Sequence, residues 1–143
     1  IMNLEQLQVR WTEDSKIDTD KYGEESIKIP QLHMRYMEFY NTFSLMKKDR
    51  ESEMRTLVRD KWIFYKGKAP AKIYKDTPFD FKLTTKEEIN MFIDADEDIR
   101  KLQYKIDYIE QVIFFLDGVL KQITSRNYQI KNAIEWERFQ SGM

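Results

Sequence analysis

The chain has 143 residues, 41% hydrophobic and 14% aromatic, which fits one domain with a real core. It has no cysteine, so disulfides and thiolate metal sites are excluded, and no apolar run nears the ~18 residues of a membrane span. Charged residues reach 34% with only four glycines and three prolines, a mix that suits long exposed helices better than a sheet with many turns.

The net charge of −1 hides a strong asymmetry. Residues 1–30 carry four basic and seven acidic side chains, and residues 31–46 balance. Residues 47–75 carry ten basic and four acidic, a net of +6, and residues 76–143 return to −4. A basic middle in an otherwise acidic chain points to a polyanionic partner. Ile1-Met2-Asn3-Leu4 lacks a basic region followed by an apolar stretch, so no signal peptide is expected, and the chain reads as soluble and cytoplasmic.

Asn3 is placed to cap a short helix over Leu4–Asp14, with Leu4, Leu7 and Trp11 on one face. Asp18, Thr19 and Asp20 precede a second short helix, which Pro30 is expected to stop. From Gln31 to Tyr65 there is no Gly and no Pro. Leu32, Tyr36, Phe39, Phe43 and Met46 keep helical spacing, and after a polar stretch Met54, Val58, Trp62 and Tyr65 resume it. One long helix is predicted, with a bend near residues 47–52, ended by Gly67 in a left-handed cap. Residues 68–83 read as an irregular connection, in which Phe79–Leu83 alternate like a strand. Thr85 with Glu88 fits a capping box for a short helix. Carboxylates at 94, 96, 97 and 98 then gather where the next helix begins, as its dipole favours.

That last helix carries an apolar residue at nearly every position of a 3-4-3-4 spacing: Ile99, Leu102, Ile106, Ile109, Ile113, Leu116, Leu120, Ile123, Asn127, Ile130 and Ile134. Ten of the eleven are Ile or Leu. An undistorted helix drifts off this period by ~20° per heptad, so a seam kept this long argues for coiled-coil-like assembly. Tyr108, Val112, Phe115 and Val119 form a second row, which favours a bundle or ring over a two-stranded rod. Asn127 is expected to fix register, and Gly118 to permit a close helix contact. The competing reading is that the pattern buries against the 31–65 helix of the same chain, and one stripe can face inward while the other faces outward. The predicted fold is therefore all-α, with a C-terminal oligomerisation helix. The chain divides into an N-terminal helical region (1–83) and a C-terminal one (84–143) that act as a single functional domain.

In the basic segment, Arg55, Arg59, Trp62 and Lys66 fall on one helical face, and Lys61, Lys68, Lys72 and Lys75 add positive charge. Trp62, Phe64, Tyr65 and Tyr74 are interleaved with them. Rings that stack on bases and cations that track phosphates suit single-stranded nucleic acid better than duplex. The competing reading is a solvated face whose arginines pair with local acids and whose aromatics, Trp62 above all, are core. Chemistry for catalysis is scarce. His33 is the one histidine, Gly67-Lys68 is not followed by Ser or Thr, and the acidic cluster lacks the glycine turn and terminal Glu of a calcium loop. No catalytic site, metal or cofactor is expected.

These residues resemble the UvsY family of T-even-type phages. The similarity is most specific in the last third, where Gly118, Leu120, Ile123, Ser125-Arg126, Tyr128, Ile130-Lys131, Ile134, Phe139 and Gly142 keep the family's order and spacing. Asp94-Ala95-Asp96-Glu97-Asp98, Leu4-Glu5-Gln6-Leu7-Gln8, Ile17-Asp18 and Phe64-Tyr65-Lys66-Gly67-Lys68 are similar to further family elements. The resemblance implies a non-enzymatic helical protein, a ring-like hexamer or heptamer, that binds single-stranded DNA in the cytoplasm of an infected bacterial host. It implies the loading of a RecA-like recombinase onto strands coated by the phage single-strand-binding protein, with contacts to both proteins. It assigns DNA binding to two basic residues just before the aromatic pair, here Arg59 and Lys61 with their order swapped, and oligomerisation to the C-terminal helix. The loop at 68–85 is longer and more basic than the family pattern. The alternative from a different class is a coiled-coil scaffold that binds no nucleic acid.

Overall fold

The computed structural model describes residues 1–142. Six helices follow one another: α1 (Leu4–Asp14), α2 (Tyr22–Tyr65), α3 (Ala71–Asp76), α4 (Lys86–Ala95), α5 (Glu97–Thr124) and α6 (Arg126–Gln140). No strand occurs among the described residues, so the fold is all-α as expected. The chain forms two compact units, one of Ile1–Ser44 with Glu110–Met143 and one of Leu45–Ile109. This division does not follow chain order, because α2 and α5 each give residues to both units.

In the first unit, α1 starts where Asn3 predicts. The Gln6 N–H donates to the Asn3 side chain at 2.9 Å, and the Asn3 N–H donates to the Gln6 side chain at 2.9 Å, so two otherwise unpaired amides are satisfied. Leu7 and Tyr36 are fully buried, and Trp11 sits edge-on to Tyr36 at 5.3 Å. The Tyr36 hydroxyl donates to Asp14 at 2.9 Å; burial, and then this carboxylate, hold its pKa well above the ordinary phenol value.

Helix α2 does not stop at Pro30 but begins at Tyr22 and runs through it. Pro30 has no N–H to give the preceding turn, a loss that ordinarily breaks a helix. Contacts distant in sequence hold the first turns instead. Tyr22 donates to Glu137 at 3.0 Å, and Glu25 pairs with Arg126 at 3.4 Å. Arg126, buried to 4% exposure, also donates to the carbonyls of Lys16 (2.9 Å) and Ser15 (3.4 Å), which closes the end of α1. Arg126 follows a break at Ser125, where the C-terminal apolar series passes from α5 to α6.

In the second unit, Ile89, Ile93 and Ile99 form a core against Met54, Leu57, Val58, Trp62, Tyr65 and Leu83. Thr85 caps α4 by accepting the Glu88 N–H at 3.2 Å, but the Glu88 carboxylate accepts the Thr85 hydroxyl at 2.9 Å in place of the backbone N–H that the expected capping box would use. The expected strand over Phe79–Leu83 is absent; that segment lies outside any helix, and no other strand exists for it to pair with among the described residues.

Most of the 3-4-3-4 seam is buried within the chain itself. Ile99, Leu102, Ile106, Ile109, Leu116, Leu120, Ile123 and Ile130 are all at 9% exposure or less. Ile113 and Ile134 are half-buried, and Asn127 is exposed, with a long 3.5 Å hydrogen bond from Ser26. The second row divides: Val112 and Val119 are buried, Phe115 is half-buried and Tyr108 is exposed. Gly118 faces open space: a Cβ there would meet nothing within 4 Å, so no helix of this chain approaches it. The large apolar side chains left in solvent on α5 and α6 are Tyr104, Tyr108, Phe114, Tyr128, Trp136 and Phe139.

Candidate nucleic-acid interface

The candidate residues all lie in the second unit. The last three turns of α2 place Met54, Leu57, Val58, Trp62 and Tyr65 on the core, which leaves Arg55 and Arg59 outside. Helix α2 then ends at Gly67. The Lys68 N–H donates to Ile63 O and the Gly67 N–H to Phe64 O, both at 3.0 Å, the paired bonds of a Schellman cap. Gly67 has φ of 81°, a left-handed conformation that favours glycine.

The chain after Gly67 folds back on the helix end. The Tyr74 hydroxyl donates to Phe64 O at 2.6 Å and accepts the Ala69 N–H at 3.2 Å. The Phe64 and Tyr74 rings stack at 5.2 Å, and Phe79 packs on Phe64, Tyr65 and Phe92. These contacts order the connection that the sequence leaves irregular, and they support helix α3, which carries Lys72 and Lys75.

The cations of the segment fall into two classes. Lys61 is half-buried, and its ammonium lies 2.8 Å from Asp98 and 3.1 Å from Asp96. Burial alone would lower its pKa; the two carboxylates overcome this and raise it above its ordinary value. Asp96 is itself at the hinge between α4 and α5. Its Oδ1 accepts the N–H groups of Asp98 (2.9 Å) and Ile99 (3.1 Å), an N-cap for α5, while its Oδ2 accepts the Tyr65 hydroxyl at 2.6 Å. Burial would raise the Asp96 pKa; the hydrogen bonds from Tyr65, Ile99 and Lys61 lower it instead. The acidic run read as helix-dipole charge is thus also the counter-ion set of Lys61.

Arg59 hydrogen-bonds to the adjacent Asp60 at 3.0 Å and remains exposed. Two residues along a helix is about 200° of rotation, so Arg59 and Lys61 leave α2 on nearly opposite sides. Trp62 is half-buried on the isoleucine core. The second class is Lys66, Lys68, Lys72, Lys75, Lys82 and Lys86, all exposed, none with an ion-pair partner among the described residues. The structure therefore brings Arg55, Arg59, Lys66, Lys68 and Lys72 to solvent and turns Lys61 and Trp62 inward. Lys82 and Lys86 belong with the exposed group by position; in sequence they are balanced by Asp76 and Asp80 of the same stretch. Among the described residues no three His, Cys, Asp or Glu side chains are placed to hold a metal ion.

The profile of the UvsY family, described as recombination, repair and ssDNA-binding proteins, matches residues 10–143. The chain belongs to the UvsY family. It is 25% identical to the recombination protein UvsY of Enterobacteria phage T4 over 144 aligned positions, covering 99% of each chain. Two crystal structures of the bacteriophage T4 recombination mediator protein UvsY have the same fold. One aligns with a TM-score of 0.84 at 22% identity over 99% of both chains. The other aligns with a TM-score of 0.81 at 21% identity over 97% of this chain and 99% of that one. UvsY membership agrees with the family resemblance found in the sequence. No helix of the described residues is long and apolar enough to cross a membrane.

Proposed function

We propose that the protein is a recombination mediator, which binds single-stranded DNA as a homo-oligomer and promotes loading of a RecA-like recombinase onto strands coated by single-strand-binding protein. The observation that carries this reading is the set of unpaired lysines at the end of α2 and on the loop after it, in a chain of the UvsY family. Unpaired cations release counter-ions from phosphates without first breaking an internal ion pair. Arg55, Arg59, Lys66, Lys68 and Lys72 hold the strand. Lys61 acts mainly by pinning the helix end to Asp96 and Asp98.

Copies associate through the C-terminal helices. Because the seam is largely buried in its own chain, the contact falls on the residues left outside it: half-buried Ile134 and the exposed Tyr128, Trp136 and Phe139 of α6. Trp136 and Phe139 stack at 5.7 Å and offer one flat apolar patch. Several weak cationic sites on one assembly act together through effective concentration. A strand held along such an assembly is loosened from its coat and offered to the recombinase. The activity is non-enzymatic, its partners are the strand, the recombinase and the coat protein, and its setting is the cytoplasm of the infected host.

Gel-shift titration with single-stranded and duplex DNA at two salt levels, alongside sedimentation, tests the reading. Preferential, salt-sensitive binding of single strands by a multimer is expected; a monomer with no DNA retention would contradict it.

A further inference from the structure

Phe81 is the large ring of the aromatic cluster that stands mostly in solvent, at 64% exposure, whereas Phe64, Tyr65, Tyr74, Phe79 and Phe92 are half-buried. It is nevertheless held firmly. Its centroid lies 5.7 Å from Phe79 and 5.4 Å from Phe92, tilted 47° and 49° to them. A single exposed aromatic needs no explanation; a braced ring on a loop rich in unpaired positive charge has a specific complement. Residues 66–86 carry six lysines against Asp76 and Asp80, a net of +4, and none of the six lysines is ion-paired among the described residues. Lys82 directly follows Phe81. The ligand that matches a flat apolar face on a cationic loop is an unpaired nucleobase between phosphates. A duplex offers no such face, because its bases are already stacked.

We propose that Phe81 is a base-stacking residue of a single-strand site built on the 66–86 loop, with the unpaired lysines of the same loop holding the neighbouring phosphates. This rests on the single-strand reading above and deepens it. It moves base contact from α2, where Trp62 is packed inward, to the loop.

The test uses the full chain, an oligo-dT strand and an abasic strand of equal length, with binding followed by fluorescence anisotropy. The wild-type chain is expected to prefer oligo-dT. Phe81→Ala should lower oligo-dT affinity by roughly 5- to 150-fold, the range for loss of one stacked base, and leave abasic affinity within about twofold. Phe81→Tyr should restore the preference, and Phe81→Leu, which keeps apolar bulk without a flat ring, should not. Equal loss on both strands, or no loss on either, would overturn the assignment while the wild-type chain still binds oligo-dT. If the wild-type chain binds neither strand, the single-strand reading itself fails and the assignment with it.

Discussion

Replacing Asp96 should expose how the acidic hinge supports the interface. In Asp96→Ala the α5 N-terminus loses the acceptor for the Asp98 and Ile99 N–H groups, worth about 1 kcal/mol. The half-buried Tyr65 hydroxyl and Lys61 ammonium also lose a charged partner, worth about 1.5–3 kcal/mol for hydrogen bonds to an ionised group. The expected destabilisation is about 3 kcal/mol. Asp96→Asn keeps an oxygen for the cap and gives up the charge, so it should cost about 1–2 kcal/mol. Urea denaturation followed by circular dichroism measures both. An Asp96→Ala chain within about 0.5 kcal/mol of wild type, the range of an ordinary surface change, would refute the reasoning.

The same cluster sets a pH window. Asp96 titrates below its ordinary 3.8 when folded, so its contribution is complete above about pH 5 and is lost as the pH falls through the folded value. Lys61 titrates above its ordinary 10.5, so its contribution is complete below that value and is lost as the pH rises beyond it. Stability measured across pH should fall at both ends, and Asp96→Asn should flatten the acid limb; an unchanged acid limb would count against the hinge. Lys61→Ala should destabilise by about 2 kcal/mol, between an exposed pair and a fully buried one, and chemical denaturation will show it. Arg126→Ala should cost about 3 kcal/mol by leaving half-buried Glu25 without its guanidinium; a thermal melt within a degree of wild type would disprove this.

The sequence made local structure legible. Asn3, Gly67 and Thr85 act within one helical turn, and each does in the structure what its residue type predicts. The all-α class followed from the long stretch without Gly or Pro and from the apolar period. What the sequence could not show depends on partners far along the chain. Lys61 reads as one more exposed cation because its partner Asp98 is 37 residues away, and Tyr65 finds Asp96 at a separation of 31. Pro30 reads as a stop because the contacts that override it come from α6. The seam is sensed correctly as apolar, but periodicity does not say whether the covering surface belongs to the same chain. Phe81 was legible only as part of an alternating pentapeptide; its brace on Phe79 and Phe92 is tertiary.

The central claim is that unpaired lysines at the end of α2 and on the loop beyond it grip the phosphates of a single strand. The most direct test is the salt dependence of single-strand affinity for the wild-type chain and for a Lys66→Gln, Lys68→Gln, Lys72→Gln triple variant. Each phosphate contact contributes about −0.7 to the log–log slope, so the variant should be shallower by about 2 with its fold and assembly intact. An unchanged slope would contradict the account.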